Sequence, residues 1–258
     1  MSRTASLSVA CLVLVAALNG ATASKEFRRT APLAANGRVE LRSERGTARI
    51  LPWDRHEVEV VATIQARPET LDPEESVRRT QIRFDATSDS ILIQTDFGER
   101  LSDRGWFGHD AVPLVHYEIK VPRSVDLTVN DNRSEIEIGD LLGRVRLHTD
   151  RSAVHITSFN GALDVDADRG SIRIDRLLLA SQGEFRTDRT DVELGVSSTH
   201  GMTLDLDLDR VSPEVDSGLL SGLISENHRH VTYRGSIGRG GPTLRYNADR
   251  GSLRLHRV

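Results

Sequence analysis

Val145-Arg-Leu-His-Thr-Asp-Arg-Ser-Ala-Val-His-Ile156 is followed by Leu163-Asp-Val-Asp-Ala-Asp-Arg-Gly-Ser-Ile-Arg-Ile174, eighteen residues further on. The two stretches share one plan. An acidic or amide residue, an arginine and then Gly, Ser or Thr form the centre, and apolar and polar positions alternate on both sides. The same centre occurs at Glu44-Arg45-Gly46, Asn132-Arg133-Ser134, Asp188-Arg189-Thr190 and Asp249-Arg250-Gly251. Arg133, Arg151, Arg169 and Arg189 are spaced by 18, 18 and 20 residues. With each arginine as zero, offsets −6, −4, +3 and +5 give 24 slots over six copies, and all but Gly183 are apolar. A chain that is 38% hydrophobic would fill about nine by chance. The interleaved offsets −5, −3, +2 and +4 are polar, Ala153 excepted.

Strict alternation is the pattern of a half-buried strand. The central triplet reads as a tight turn, because Asx and Gly tolerate left-handed backbone. One strand–turn–strand unit cannot bury its apolar face alone and needs neighbours. The period therefore predicts an all-β, single-stranded β-solenoid of β-helix type, with like offsets stacked at ~4.8 Å. Stacking sets Arg146 beside Asp164, Arg186 beside Asp166 and Arg173 beside Glu193, pairs that favour the correct register. The pattern is blurred over 53–123, where strands are expected at Glu57–Ile64, Gln81–Phe84, Ser90–Thr95 and His116–Val121. A short helix is expected over Asp72–Thr80, with Asp72 as N-cap, Pro73 at N1 and Glu75 at N3. It is blurred again over 196–239, where Asp216-Ser217-Gly218 is read as a degenerate copy.

Residues 1–23 read as a secretory signal peptide: Arg3, the apolar run Val9–Leu18, a break at Asn19-Gly20 and the small-residue site Ala21-Thr22-Ala23. The run is about half the ~20 residues that span a bilayer. Cleavage after about Ala23 removes Cys11, the only cysteine, so the mature chain forms neither a disulfide nor a thiolate metal site. No later segment has the length of a transmembrane helix. The expected organisation is a leader, 1–23, and one domain, 24–258, with an irregular part over 24–124 and regular repeats with a C-terminal cap over 125–258. Net charge is −4 with no basic half, which argues against a nucleic-acid partner. Lys25 and Lys120 are the only lysines, a poor basis for Schiff-base chemistry.

The opening Gly37-Arg-Val-Glu-Leu41, the stretch Tyr117-Glu-Ile-Lys-Val-Pro122 and the ending Gly240-Gly-Pro-Thr-Leu-Arg-Tyr-Asn-Ala-Asp-Arg-Gly-Ser-Leu-Arg-Leu255 resemble the bacterial DUF4097 group. These are β-strand-repeat, adhesin-like proteins. The resemblance covers nearly all of 27–258 and implies a secreted or cell-envelope β-solenoid. It carries over no catalytic set, and a fold does not specify a function.

Candidate chemistry is sparse. Asp205, Asp207 and Asp209, like Asp164 and Asp166, place carboxylates ~7 Å apart on one strand face, a spacing that suits acid–base pairs or Ca²⁺. The plainer reading pairs them with arginines on the next coil. His228-Arg229-His230 offers two imidazoles, too few for zinc. Stacked turn arginines Arg133, Arg151, Arg169 and Arg189 would form a ridge suited to anionic groups unless their acidic neighbours neutralise them. In the long connection Phe97–Pro113, Trp106 and Phe107 are placed either to stack on a ligand or to cover the core. No Gly-x-Ser-x-Gly elbow, phosphate loop, dinucleotide fingerprint or His-Glu-x-x-His is present.

The expectation is an exported, non-catalytic protein of the periplasm or cell surface, without cofactor or metal, presenting a rigid β-face to a protein or glycan. The binding residues would be Arg133, Arg151, Arg169, Arg189, Trp106 and Phe107. The alternatives are a polysaccharide-active enzyme using strand aspartates, and an envelope scaffold that associates end to end.

Overall fold

Alternation gives each segment one apolar face, and the chain folds accordingly. The computed structural model describes residues 22–98, 112–227 and 229–258. Its strands are β1 (Ser24–Pro32), β2 (Arg38–Arg42), β3 (Arg45–Trp53), β4 (Glu57–Gln65), β5 (Gln81–Ala86), β6 (Ser90–Asp96), β7 (Leu114–Pro122) and β8 (Asp126–Asp131). They continue as β9 (Arg133–Ile138), β10 (Arg144–Ile156), β11 (Phe159–Leu179), β12 (Gly183–Val196), β13 (Met202–Val215), β14 (Leu220–Asn227), β15 (His230–Ile237) and β16 (Thr243–Arg257). The strands form one open 16-stranded sheet. One helix, α1 (Pro73–Arg79), lies where the capping pattern places it: the Asp72 carboxylate accepts from the Glu75 N–H at 3.0 Å, and Pro73 is in the first turn.

Repeat copies pair in parallel at like offsets. Val154 faces Ile172, Ile172 faces Val192, and Val192 faces Leu253. None of the four is more than 2% exposed. The pairs β2–β8 and β3–β9 keep the same frame, with Val39 opposite Leu127 and Ile50 opposite Ile138. Columns of aliphatic side chains thus run through successive rungs. Gly183, the one exception in the frame, is buried because Leu179 and Leu244 occupy its space. A Cβ there would stand 3.0 Å from Leu244 Cδ1.

A further buried column comes from the segments that link successive units: Leu141, Phe159 and Leu177 at offset +8 and, after a register shift, Val196 at offset +7, each at most 1% exposed. Leu141 bridges to Phe159 and Leu177 pairs with Val196. These connections bond from rung to rung, as Ala162 N–H donates to Gly143 O and Ala180 N–H to Gly161 O. Backbones approach closely here. A Cβ on Gly161 would lie 1.7 Å from Gly143 O, so only glycine fits.

Three features depart from the expected stack. The central triplet is a corner within a continuous strand in β10, β11, β12, β13 and β16, not a break. It is made by one left-handed arginine: Arg151, Arg169, Arg189, Arg210 and Arg250 have φ between 50° and 65°. Second, the seventh copy is Asp209-Arg210-Val211 in β13, not Asp216-Ser217-Gly218. Leu204, Leu206, Pro213 and Val215 fill its frame opposite Leu244, Tyr246, Leu253 and Leu255 of β16. Third, the order is β12–β16–β13, so the last strand inserts between two earlier ones. The end of the stack is built from β13, β15 and β14, paired antiparallel. At the other end β6 and β7 make a rung without the motif. Ile91 and Ile93 face Val39 and Leu41, and Tyr117 and Ile119 face Ala48 and Ile50. Antiparallel β5, β4 and β1 cover that rung.

Burial dominates the energetics. Ile172→Ala is expected to lower unfolding free energy by about 2–5 kcal/mol in denaturant titration. Arg146→Ala, on the outward face, is expected to change it by less than about 0.5 kcal/mol.

Candidate functional site

The corners line up in one row across the strands, which forms the corner edge of the stack, because all arginines share an offset. There they form a directional ladder. Arg169 contacts its own Asp168 at 2.6 Å and Asp150 of the preceding rung at 3.2 Å. Arg189 contacts Asp188 at 2.7 Å and Asp168 at 3.1 Å. Arg250 contacts Asp249 at 3.0 Å and Asp188 at 3.6 Å. Arg210 contacts Asp209 at 3.0 Å and Asp249 at 2.5 Å. The ladder follows spatial order, β10–β11–β12–β16–β13, and ignores sequence order. An L-residue in the left-handed region costs about 1–2 kcal/mol, and the paired carboxylates help hold it there. Hydrogen bonds from Arg169 and then Arg189 hold the Asp168 carboxyl below its ordinary value. Asp249 is lowered in the same way, by Arg250 first and Arg210 with it.

One rung is built differently. At the β8–β9 corner, Asp131 points inward and is 8% exposed. Its Oδ1 accepts from the Ser43 and Ser134 hydroxyls, each at 2.5 Å. Its Oδ2 accepts from the Ser152 hydroxyl at 2.6 Å and the Ser134 N–H at 2.9 Å. Four donors satisfy the buried carboxylate, and they tie together three rungs. The sequence reading omitted offset −2, where Asp131 sits.

The outer faces are also charge-paired. Across the stack, offset +4 reads Glu118, Arg49, Glu137, His155, Arg173, Glu193, Arg254 and Glu214. Signs alternate except at His155 beside Arg173, and both of these bond Asp175 at 2.8 Å. Burial tends to raise Asp175, but hydrogen bonds from Arg173 and His155 outweigh it and lower it. Of the three expected cross-rung pairs, all are register partners. Arg173–Glu193 is an ion pair at 3.2 Å, whereas Arg186 turns to Glu184 on its own strand.

Among the acidic candidates, Asp205 is held by Arg234 at 3.0 Å and Asp207 lies 3.5 Å from His230. The described residues hold no cluster of three metal-ligating side chains. Arg133, Arg151, Arg169 and Arg189 share the corner edge, though Arg133 stands outside the ladder. Phe97–Pro113 is rooted on the same edge, since Val115 is opposite Gly46 and the connection takes the place of a corner. Trp106 and Phe107 lie outside the described residues. A feature the sequence did not flag is Trp53, whose indole N–H donates to Glu57 O at 2.8 Å. Its ring is flanked by Arg55 at 4.9 Å and Lys120 at 5.6 Å.

No protein-family model and no curated protein matches the chain. Among solved structures it is similar to a proposed cell adhesion protein of Clostridium sporogenes, at 8% identity and TM-score 0.43, over 91% of this chain and 100% of that one. It is also similar to a proposed adhesin of Bacteroides fragilis, at 10% identity and TM-score 0.29, over 91% and 97% of the chains. A third is a proposed lipid-binding protein of Parabacteroides distasonis, at 8% identity and TM-score 0.30, over 90% and 96%. At these scores the likenesses carry no argument about activity. No helix among the described residues is long and apolar enough to cross a membrane.

Two outcomes follow for the corner. Arg169→Gly is expected to be more stable than Arg169→Ala by roughly 1 kcal/mol, because both lose the ion pairs but only alanine keeps the left-handed cost. Lowered carboxyls add stability above their unfolded value of 3.8 that is lost as pH falls through the folded values. Melting temperature should therefore drop below pH 3.8, and less steeply in Asp168→Asn/Asp249→Asn, which starts lower at neutral pH.

Proposed function

We propose that the protein is an exported, non-catalytic binding protein of the cell envelope or surface: a DUF4097-like β-solenoid presenting a rigid edge to a protein or glycan. One observation carries the reading. The corner line of arginines and aspartates runs on to the start of β7, where Val115 is the register partner of Gly46 and the connection Phe97–Pro113 ends. In-register main-chain pairing holds the corner positions at fixed spacing, which suits repeated contacts with an extended partner. The aromatic pair Trp106-Phe107 supplies stacking groups within the same connection. The sequence of 1–23, read as a leader, supports export.

The test compares the mature chain with Trp106→Ala/Phe107→Ala and Arg133→Gln/Arg151→Gln as baits on envelope extract. The proposal expects one saturable ligand whose retention falls about tenfold in both variants at unchanged melting temperature. Equal retention by wild type and variants contradicts it. A mature N-terminus near Ser24 in the envelope or medium is expected, and an uncleaved cytoplasmic chain contradicts the export.

Self-association through the end of the stack is a second reading, favoured by β14. Arg210 N–H donates to Arg229 O, which fixes the hydrogen-bonding parity of β15 and leaves alternate backbone groups of β14 facing outward. Light scattering that shows a strict monomer at high concentration removes this reading.

A further inference from the structure

We propose that Arg45, Arg133 and Arg151, where the corner line begins, form a subsite for the carboxylates of an acidic glycan; this rests on the binding reading above and names its ligand class. The ladder has a rule. From Arg169 onward, each arginine meets an aspartate on its own strand and another on the neighbouring rung. The rule fails at β8–β9, where Asn132 stands in place of the aspartate. Arg133 is exposed, and its side chain makes no hydrogen bond or ion pair among the described residues. Arg151 lies one rung further on and has only its own Asp150, at 3.7 Å, whose other oxygen is taken by Arg169. Arg45 is the register partner of Arg133. Three arginines therefore sit on adjacent strands, ~4.8 Å apart at the backbone, with Glu44, the inward-facing Asp131 and Asp150 as the acids of that run among the described residues.

Like charges directly opposite on neighbouring strands destabilise a sheet, and an aspartate at position 132 would relieve them as it does elsewhere. Asp131 clamps the rungs beneath this corner but faces inward, and the Arg133 side chain stays exposed with no partner among the described residues. Guanidinium matches carboxylate through two parallel hydrogen bonds. One exposed pair contributes little, so a ligand that repeats its charge along the row is favoured over a single ion. A net charge of −4 disfavours nucleic acid as that ligand.

Calorimetric titration of the mature chain with oligogalacturonate, with inorganic phosphate as the single-ion control, tests the site. Wild type is expected to bind the oligomer saturably. Arg133→Gln and Asn132→Asp should each weaken binding about tenfold or more, and Asn132→Asp should not lower the melting temperature, because it extends the ladder. Absence of saturable binding, or equal binding by Asn132→Asp, overturns the site. Phosphate binding as tightly as the oligomer overturns the glycan assignment. If Asn132→Asp still retains the envelope ligand at wild-type level, the subsite fails while the wider binding reading stands.

Discussion

Parallel pairing of like offsets is the constraint on which the rest depends. A single rung has an apolar face it cannot bury and two rows of main-chain groups it cannot satisfy. Placing an identical pattern on each side solves both problems at once. Every other regularity follows from that repetition. Aliphatic columns form because the frame repeats, the corner arginines align because they share an offset, and the charges at offset +4 alternate along the stack, His155 beside Arg173 excepted. A slip of one residue would turn a strand's aliphatic set, such as Val154 and Ile156, outward and break its cross-rung charge pairs.

The corners show how a repeated local cost is tolerated. Five arginines adopt a conformation that glycine would adopt freely, and all but Arg151 are held by carboxylates from two rungs. These contacts are exposed and individually weak. Their value is directional, since they link each rung to its spatial neighbour whatever the chain order. Where the chain departs from this device it uses another: the buried Asp131, bound by Ser43, Ser134 and Ser152, clamps the rungs beside the unpaired Arg133.

Much of this was legible in the sequence, because periodicity is a local signal. The frame of Val145, Leu147, Val154 and Ile156 located the rungs and their register, and the Asp72–Glu75 spacing located the helix. What stayed hidden was non-local. Asp209-Arg210-Val211 escaped notice because valine replaces the small residue and Pro213 sits in an apolar slot. The insertion of β16 between β12 and β13 leaves no trace in local spacing. The β6–β7 rung lacks the motif, its two arms being separated by Phe97–Pro113. The ladder itself was hidden because an arginine's partner on the next strand can be named only once strand order is known, and that same order makes Arg133 the exception.

The order β12–β16–β13 is the most specific consequence of pairing by offset, and engineered disulfides report on it directly. Asp191 and Ser252 are register partners, joined by a 2.6 Å hydrogen bond, whereas Ser212 lies one strand beyond. Oxidation of Asp191→Cys/Ser252→Cys should close a disulfide in the folded mature chain. Asp191→Cys/Ser212→Cys should not close, because two strand spacings exceed the ~7 Å Cα limit. Closure of 191 with 212 in preference to 252 would contradict the account.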